Sequence, residues 1–202
     1  MPENTSFKHK NTAGSFTITP VQTADDLNDI RVLFTAYAAS LGIDLGFQDF
    51  ATELSSLPGK YSPVNQGCLL LARSTTSGAA LGCVGLRALA APAPASVSVP
   101  SPSPSASGSN SSGNDSRPHA NVAEMKRLYT TPNARGMGLG RALAQAIIAD
   151  ARRLGYAEVR LDTLPSMQAA RRVYTGMGFV EVDRYYDTPL EGTVFLGLRL
   201  ER

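Results

Sequence analysis

Apolar and polar residues alternate in Phe16-Thr17-Ile18-Thr19, the period of a strand with one buried face, and Pro20 closes the run. The period then changes. Between Thr23 and Leu41, residues Leu27, Ile30, Leu33, Phe34, Tyr37 and Leu41 recur at spacings of three and four, behind Asp25 and Asp26 and ahead of Gly42. That pattern predicts an amphipathic helix with an acidic first turn and a glycine stop. Phe47, Phe50, Ala51, Leu54 and Leu57 predict a second, shorter helix before Pro58-Gly59, with the stretch to Val64 placed to form a lip over a pocket. Two apolar runs, 68–73 and 80–87, flank a polar turn at 75–78 and predict an antiparallel pair.

The pattern lapses from 91 to 119, where Ala, Pro, Ser, Gly and Asn leave almost nothing to bury, so a disordered Pro/Ser-rich insertion is expected. It separates two strands of one meander, which long surface loops allow at little extra closure entropy. Beyond it, 122–130 reads as a strand. A helix follows over 139–154, with Leu139, Leu143, Ile147, Ala151 and Leu154 on one face and Gly155 at its end. A strand at 157–163, a helix at about 167–177 and strands at 179–182 and 193–199 complete the order βααβββαβαββ. This predicts a single α/β (α+β) domain over 15–202, its helices packed on a central sheet, behind a loose tail at 1–14.

Composition narrows the function. At 202 residues and 43% hydrophobic, the chain can bury one sizeable core. A formal net charge of +2 is too mild to indicate nucleic-acid binding. Cys68 and Cys83 lack CxxC or Cys/His spacing, so free buried thiols are expected, with no metal and no disulfide. The first 14 residues have no apolar signal core, and no run approaches the roughly 18 apolar residues of a membrane span, so a cytoplasmic or nuclear location without a membrane is expected.

The chemistry-bearing stretch is Arg135-Gly136-Met137-Gly138-Leu139-Gly140-Arg141, where alternating glycines run from a strand into a helix. Glycines permit dihedrals closed to other residues, and a helix start offers unpartnered N–H groups with partial positive charge, so the pair suits an anion, most often phosphate. A P-loop would require Lys-Ser/Thr after Gly140, and the residues there are Arg141-Ala142. A dinucleotide fingerprint would require a further glycine at 141 or 143, although Asp162 could imitate its acidic residue. A pyrophosphate held by consecutive backbone amides with arginine support needs neither. A tight turn before a helix, without chemistry, also fits the loop taken alone.

The motif Arg135-Gly136-Met137-Gly138-Leu139-Gly140 resembles the R/Q-x-x-G-x-G/A signature of the GNAT superfamily of acetyl-CoA-dependent N-acetyltransferases. A second block, Ala170-Arg171-Arg172-Val173-Tyr174 through Gly178-Phe179, is similar to the family's A-x-x-x-Y-x-x-x-GF segment. The resemblance covers about 16–199 apart from the insertion. It departs at Met167, where many relatives carry Asn. It implies a mixed, mostly antiparallel sheet of about seven strands with about four helices. Gly136, Met137, Gly138, Leu139, Gly140 and Arg141, supported by Arg135, would hold the CoA pyrophosphate, while Leu128, Tyr129 and Thr130 would offer backbone to the pantetheine arm between splayed strands.

The resemblance further implies direct attack by a primary amine of a small molecule, amino acid or peptide on acetyl-CoA in a ternary complex. No metal is required, and the protein would be a monomer or homodimer. Glu124 becomes the expected base, standing near the position of relatives' glutamate, with a strand carboxylate paired to Lys126 or Arg127 as the other reading. Tyr174 would protonate or bind the CoA sulfur, with helix packing as its alternative. Tyr37, Tyr61, Tyr185, Tyr186 and Asp187 could line the acceptor mouth. A non-catalytic acyl-CoA sensor of the same fold is the competing function.

Overall fold

A computed structural model of the chain describes residues 7–11, 14–89 and 121–201. The expected insertion therefore lies outside the described residues. The strands are β1 (Phe7–Asn11), β2 (Gly14–Pro20), β3 (Cys68–Ser74), β4 (Ala80–Ala88), β5 (Val122–Thr130), β6 (Glu158–Thr163), β7 (Val180–Glu181) and β8 (Val194–Arg199). The α-helices are α1 (Ala24–Leu41), α2 (Phe50–Ser55), α3 (Leu139–Arg153) and α4 (Gln168–Thr175). The strands form one eight-stranded sheet in the order β1-β2-β3-β4-β5-β6-β8-β7. Every neighbouring pair is antiparallel except β5 and β6.

The fold is the mixed, mostly antiparallel architecture expected, with one addition and one correction. Strand β1 pairs with β2 inside the stretch expected to be a loose tail. Its sequence, Phe-Lys-His-Lys-Asn, carries a single large apolar residue. Backbone hydrogen bonds alone can build an edge strand, and they leave no hydrophobic period to read.

Helix α1 starts where its cap dictates. Asp26 N donates to Thr23 Oγ1 and Thr23 N donates to Asp26 Oδ2, both at 3.1 Å, a reciprocal capping box. Gly42 ends the helix in the left-handed region at φ 66°. Arg73 ties this helix start to β3 through Asp26 at 2.9 Å and Asp29 at 2.6 Å. Burial works against the charged form of Asp26, but the Arg73 and backbone hydrogen bonds outweigh it and hold its carboxyl down at about 2.

Two apolar clusters occupy opposite faces of the sheet. On one face α3 buries Leu139, Leu143 and Ile147 against Leu70, Val84, Met125 and Leu161. On the other, Ile30, Leu33 and Phe34 of α1 meet Leu69, Leu71 and Cys83. Alternate residues of β3 and β4 thus face alternate layers, as the pleat requires.

One irregularity shapes the middle of the sheet. Gly85 pairs with Lys126 and Cys83 with Tyr129, so Arg127 and Leu128 together oppose Val84 alone. This is a β-bulge, and Arg127 takes φ 57° to make it. The β5–β6 ladder stops at Glu124 and Arg160, below the bulge. Beyond that point β6 pairs only with β8, and the β6-facing edge of β5 opens into a cleft.

Candidate active site

The glycine loop divides its work unequally. Gly136 and Gly138 sit at φ 79° and 73°, where an L side chain is strained, and Gly138 is the N-cap of α3. No side chain caps this helix and no acidic residue stands in its first turn, so its leading amides are open to an anion. Gly140 lies inside the helix, and a side chain there would meet only Leu128 and Thr130 atoms at 3.9 Å. Its smallness therefore matters for what approaches the loop, and the backbone there does not require it.

The remaining side chains of the motif play different parts. Leu139 is buried and Met137 packs against the α3 core. Arg135 is exposed. Arg141 reaches across to Gly176 O at 3.3 Å, linking the start of α3 to the end of α4. Replacing Gly138 with alanine is expected to raise the KM for acetyl-CoA about tenfold, from the ~1–2 kcal/mol that a β-carbon costs in left-handed backbone. Steady-state kinetics checks this, and an unchanged KM would remove the loop from cofactor binding.

The cleft between β5 and β6 is lined by Met125–Leu128 and Leu161–Leu164, by Met167 and Tyr174 of the α4 segment, by Leu190, and by Tyr37, Leu41, Ile43, Leu45 and Gln48 at the end of α1 and the turn after it. Thr163 Oγ1 is buried there without a partner, as is Thr131 Oγ1 just after β5. Val159 and Leu161 belong to the α3 layer, so strand alternation puts Thr163 on that side and Asp162 on the α1 side. The pantetheine arm that the sequence resemblance implies would meet here an unpaired strand edge and the unpartnered Thr163 hydroxyl. Met167 stands on the cleft wall and offers the arm no side-chain amide.

Glu124 and Tyr174 face opposite sides of the sheet. Tyr174 packs in the α3 layer, its ring 5.7 Å from Phe179, and it lines the cleft. Burial, with help from Tyr37 and Asp162, pushes its phenol well above the ordinary tyrosine range, so it keeps its proton. Glu124 is fully buried on the α1 side. Arg87 holds Oε2 through Nε at 2.8 Å and Nη2 at 2.7 Å, while Tyr185 donates its hydroxyl to Oε1 at 3.1 Å. Lys126 Nζ lies 3.7 Å from Oε1 and 3.1 Å from Asp162 Oδ1. Of the two partners expected for a strand carboxylate at 124, Lys126 is the one present, and Arg87 is an addition.

Arg127 goes elsewhere. Its guanidinium is buried on the α1 side, bonded to Glu53 of α2 at 3.1 and 2.5 Å and stacked against Phe50 and Tyr37 at 5.1 and 5.7 Å. Tyr61 is buried here as well, donating to Glu53 Oε1, so it braces this pair and does not line a mouth. Asp187 is exposed and paired with Arg184. Tyr185 and Tyr186 do join the α1 side, edge-on to each other and to Phe195.

Sequence reasoning missed Gln48, the place of Lys126 on the cleft wall and the α1-side role of Asp162. The signal was present in β6, where Glu158, Arg160 and Asp162 put three charges on one face of an inner strand. Among the described residues, no group of three or more His, Cys, Asp or Glu is placed to hold a metal, and no helix is long and apolar enough to cross a membrane.

Comparison with known proteins agrees with this geometry. A profile described as the acetyltransferase (GNAT) family matches residues 62–179, more than half of the chain. An uncharacterized N-acetyltransferase of Schizosaccharomyces pombe is 31% identical over 188 residues, spanning 93% of this chain and 97% of its own length. Another, from Dictyostelium discoideum, is 38% identical over 213 residues, spanning 90% of this chain and 98% of its own. A Staphylococcus aureus acetyltransferase structure shares the fold, with a TM-score of 0.64 at 16% identity over 92% of this chain and 99% of that one. With an uncapped glycine loop, a splayed strand pair and relatives of matching length, the chain belongs to the acetyltransferase (GNAT) family.

Proposed function

We propose that this protein transfers an acetyl group from acetyl-CoA to a primary amine of a small molecule, amino acid or peptide, by direct attack in a ternary complex. The observation that carries the reading is the cleft, whose wall residue Leu128 lies against Gly140 at the uncapped start of α3 and which reaches Lys126 and Asp162 on the α1 side. Acetyl-CoA supplies an activated thioester. The amides of 136–141 hold its pyrophosphate, and the β5 edge at 128–130 receives its arm.

The roles divide by face. An N–C bond forms as the C–S bond breaks, the amine sheds a proton and the thiolate gains one. On this reading Tyr174 gives the sulfur its proton, a role supported by a phenol that stays protonated and a ring that lines the cleft. Glu124 is the proposed destination of the amine proton. Both its oxygens are engaged and it does not line the cleft, so the proton reaches it through water or through Tyr185, whose hydroxyl already points at Oε1. Burial and the neighbouring Glu124 carboxylate push Tyr185 above the ordinary phenol range and keep it a donor.

An assay of thiol release from acetyl-CoA across a panel of primary amines tests the activity. Turnover with at least one class of amine is expected. Tight acetyl-CoA binding with no turnover across a broad panel would replace the enzyme by a sensor of the same fold.

A further inference from the structure

The α1 end of the cleft is unusual in what it leaves over. Its cations are already matched: Lys126 by Asp162 and Glu124, Arg127 by Glu53, Arg87 by Glu124 and, alongside, Arg160 by Glu158. Four cations stand against four carboxylates. Its unused hydrogen-bonding capacity is of the other kind. Gln48 Oε1 and the Tyr186 hydroxyl are buried without a partner at bonding geometry, although Tyr186 lies against Asp162 and Gln48 closely enough for both to bias its titration. Lys126 sits over the Tyr186 ring, 5.7 Å from its centre, and donates to Oδ1 of Asp162. Leu41, Ile43, Leu45 and Leu190 form the walls around this corner.

We propose that Gln48, Asp162 and Tyr186 form the acceptor-amine subsite, and that the acceptor is a primary amine on an apolar body with no carboxylate beside the nitrogen. The inference rests on the acetyltransferase reading for its word "acceptor". A primary amine brings N–H donors, which is what two buried oxygens without a partner at bonding geometry lack, with the Asp162 carboxylate beside them. A carboxylate next to the nitrogen would enter a buried place whose cations are committed, and would lose its hydration without recovering a partner. The aliphatic walls favour an alkyl or arylalkyl substituent there. A free α-amino acid is therefore disfavoured, whereas the same skeleton with its carboxylate removed or converted to an amide is accepted.

Titration calorimetry of the CoA-loaded full chain tests this with 2-phenylethylamine, phenylalaninamide and phenylalanine. The first two are expected to bind within a few-fold of each other, with phenylalanine weaker by about tenfold or more. Tyr186→Phe removes a hydroxyl that makes no protein hydrogen bond at bonding geometry and only leans on Asp162 and Gln48, so its melting temperature stays close to that of the wild type. Its affinity for 2-phenylethylamine falls about tenfold. Asp162→Asn weakens the same amine while acetyl-CoA affinity is retained. Phenylalanine binding as tightly as 2-phenylethylamine, unchanged amine affinity in Tyr186→Phe, or failure of all three amines to bind would each overturn the subsite. Amine binding with the expected preference but no thiol release would instead sink the transferase reading and leave the subsite standing.

Discussion

Glu53→Ala is expected to unfold about 10 °C below the wild type, a loss of ~3–5 kcal/mol that follows from leaving a buried cation without its partner. The Arg127 side chain is 2% exposed, and among the described residues Glu53 is its only carboxylate partner. Burial works to raise the Glu53 carboxyl, but the hydrogen bonds and charge of Arg127, with the Tyr61 hydroxyl, reverse this and hold it below its ordinary 4.5. The sign follows. A depressed carboxyl stabilises the fold fully above its unfolded value and loses that contribution as pH falls through the folded one. The gap between wild type and Glu53→Ala should therefore be widest near neutrality and narrow in acid. Thermal melts at several pH values check it, and a pH-independent gap would show that the lost packing of α2, and no ion pair, is responsible.

Arg127 adds a second handle on the same feature. Its φ of 57° suits glycine, so Arg127→Gly should be about 1 kcal/mol more stable than Arg127→Ala although both lose the side chain. Equal stability would mean that the bulge relaxes once the arginine is gone.

Tyr174→Phe is expected to lower kcat by about a hundredfold while the Kd for acetyl-CoA changes little, the signature of a lost proton donor in place of a lost binding group. The ring contact with Phe179 survives the substitution, so the fold should not suffer. Because burial raises the Tyr174 phenol well beyond its ordinary 10.0, the wild-type rate should show no alkaline decline from this group near that pH. Rapid-quench measurement of the chemical step against pH checks both points. An unchanged chemical rate would leave Tyr174 a packing residue.

Much of this was legible in the sequence because it depends on local rules. The box at Thr23 and Asp26, the stop at Gly42 and the stripe of α3 each act within a few residues, and each element begins and ends close to where its pattern predicts. The glycine loop was legible for the same reason. What could not be read depends on register. The bulge shifts Arg127 and Leu128 by one position relative to β4, and nothing in Lys126-Arg127-Leu128 announces it. At the bulge Arg127 turns to Glu53, 74 residues away, and in the regular ladder beside it Glu124 meets Arg87, 37 residues away. Pairings of that span are set by the sheet, and a single chain of letters does not record them. Gln48 is a further case, since its importance comes from a buried oxygen without a partner, which exists only after packing.

The two faces of the sheet have a consequence for how such a protein can change over generations. On the proposed reading, the donor is handled by the glycine loop, the edge of β5 and Tyr174, on the α3 side. The polar corner proposed to meet the acceptor is assembled from the turn after α1, the α1-side face of β6 and the connection before β8. A substitution at Gln48, Tyr186 or Leu190 can redraw that corner while leaving the hydrogen-bond partners of the glycine loop, Ala134 O and Gly176 O among them, in place. New acceptors can be explored by drift on one surface while the supply of acetyl groups stays secure on the other.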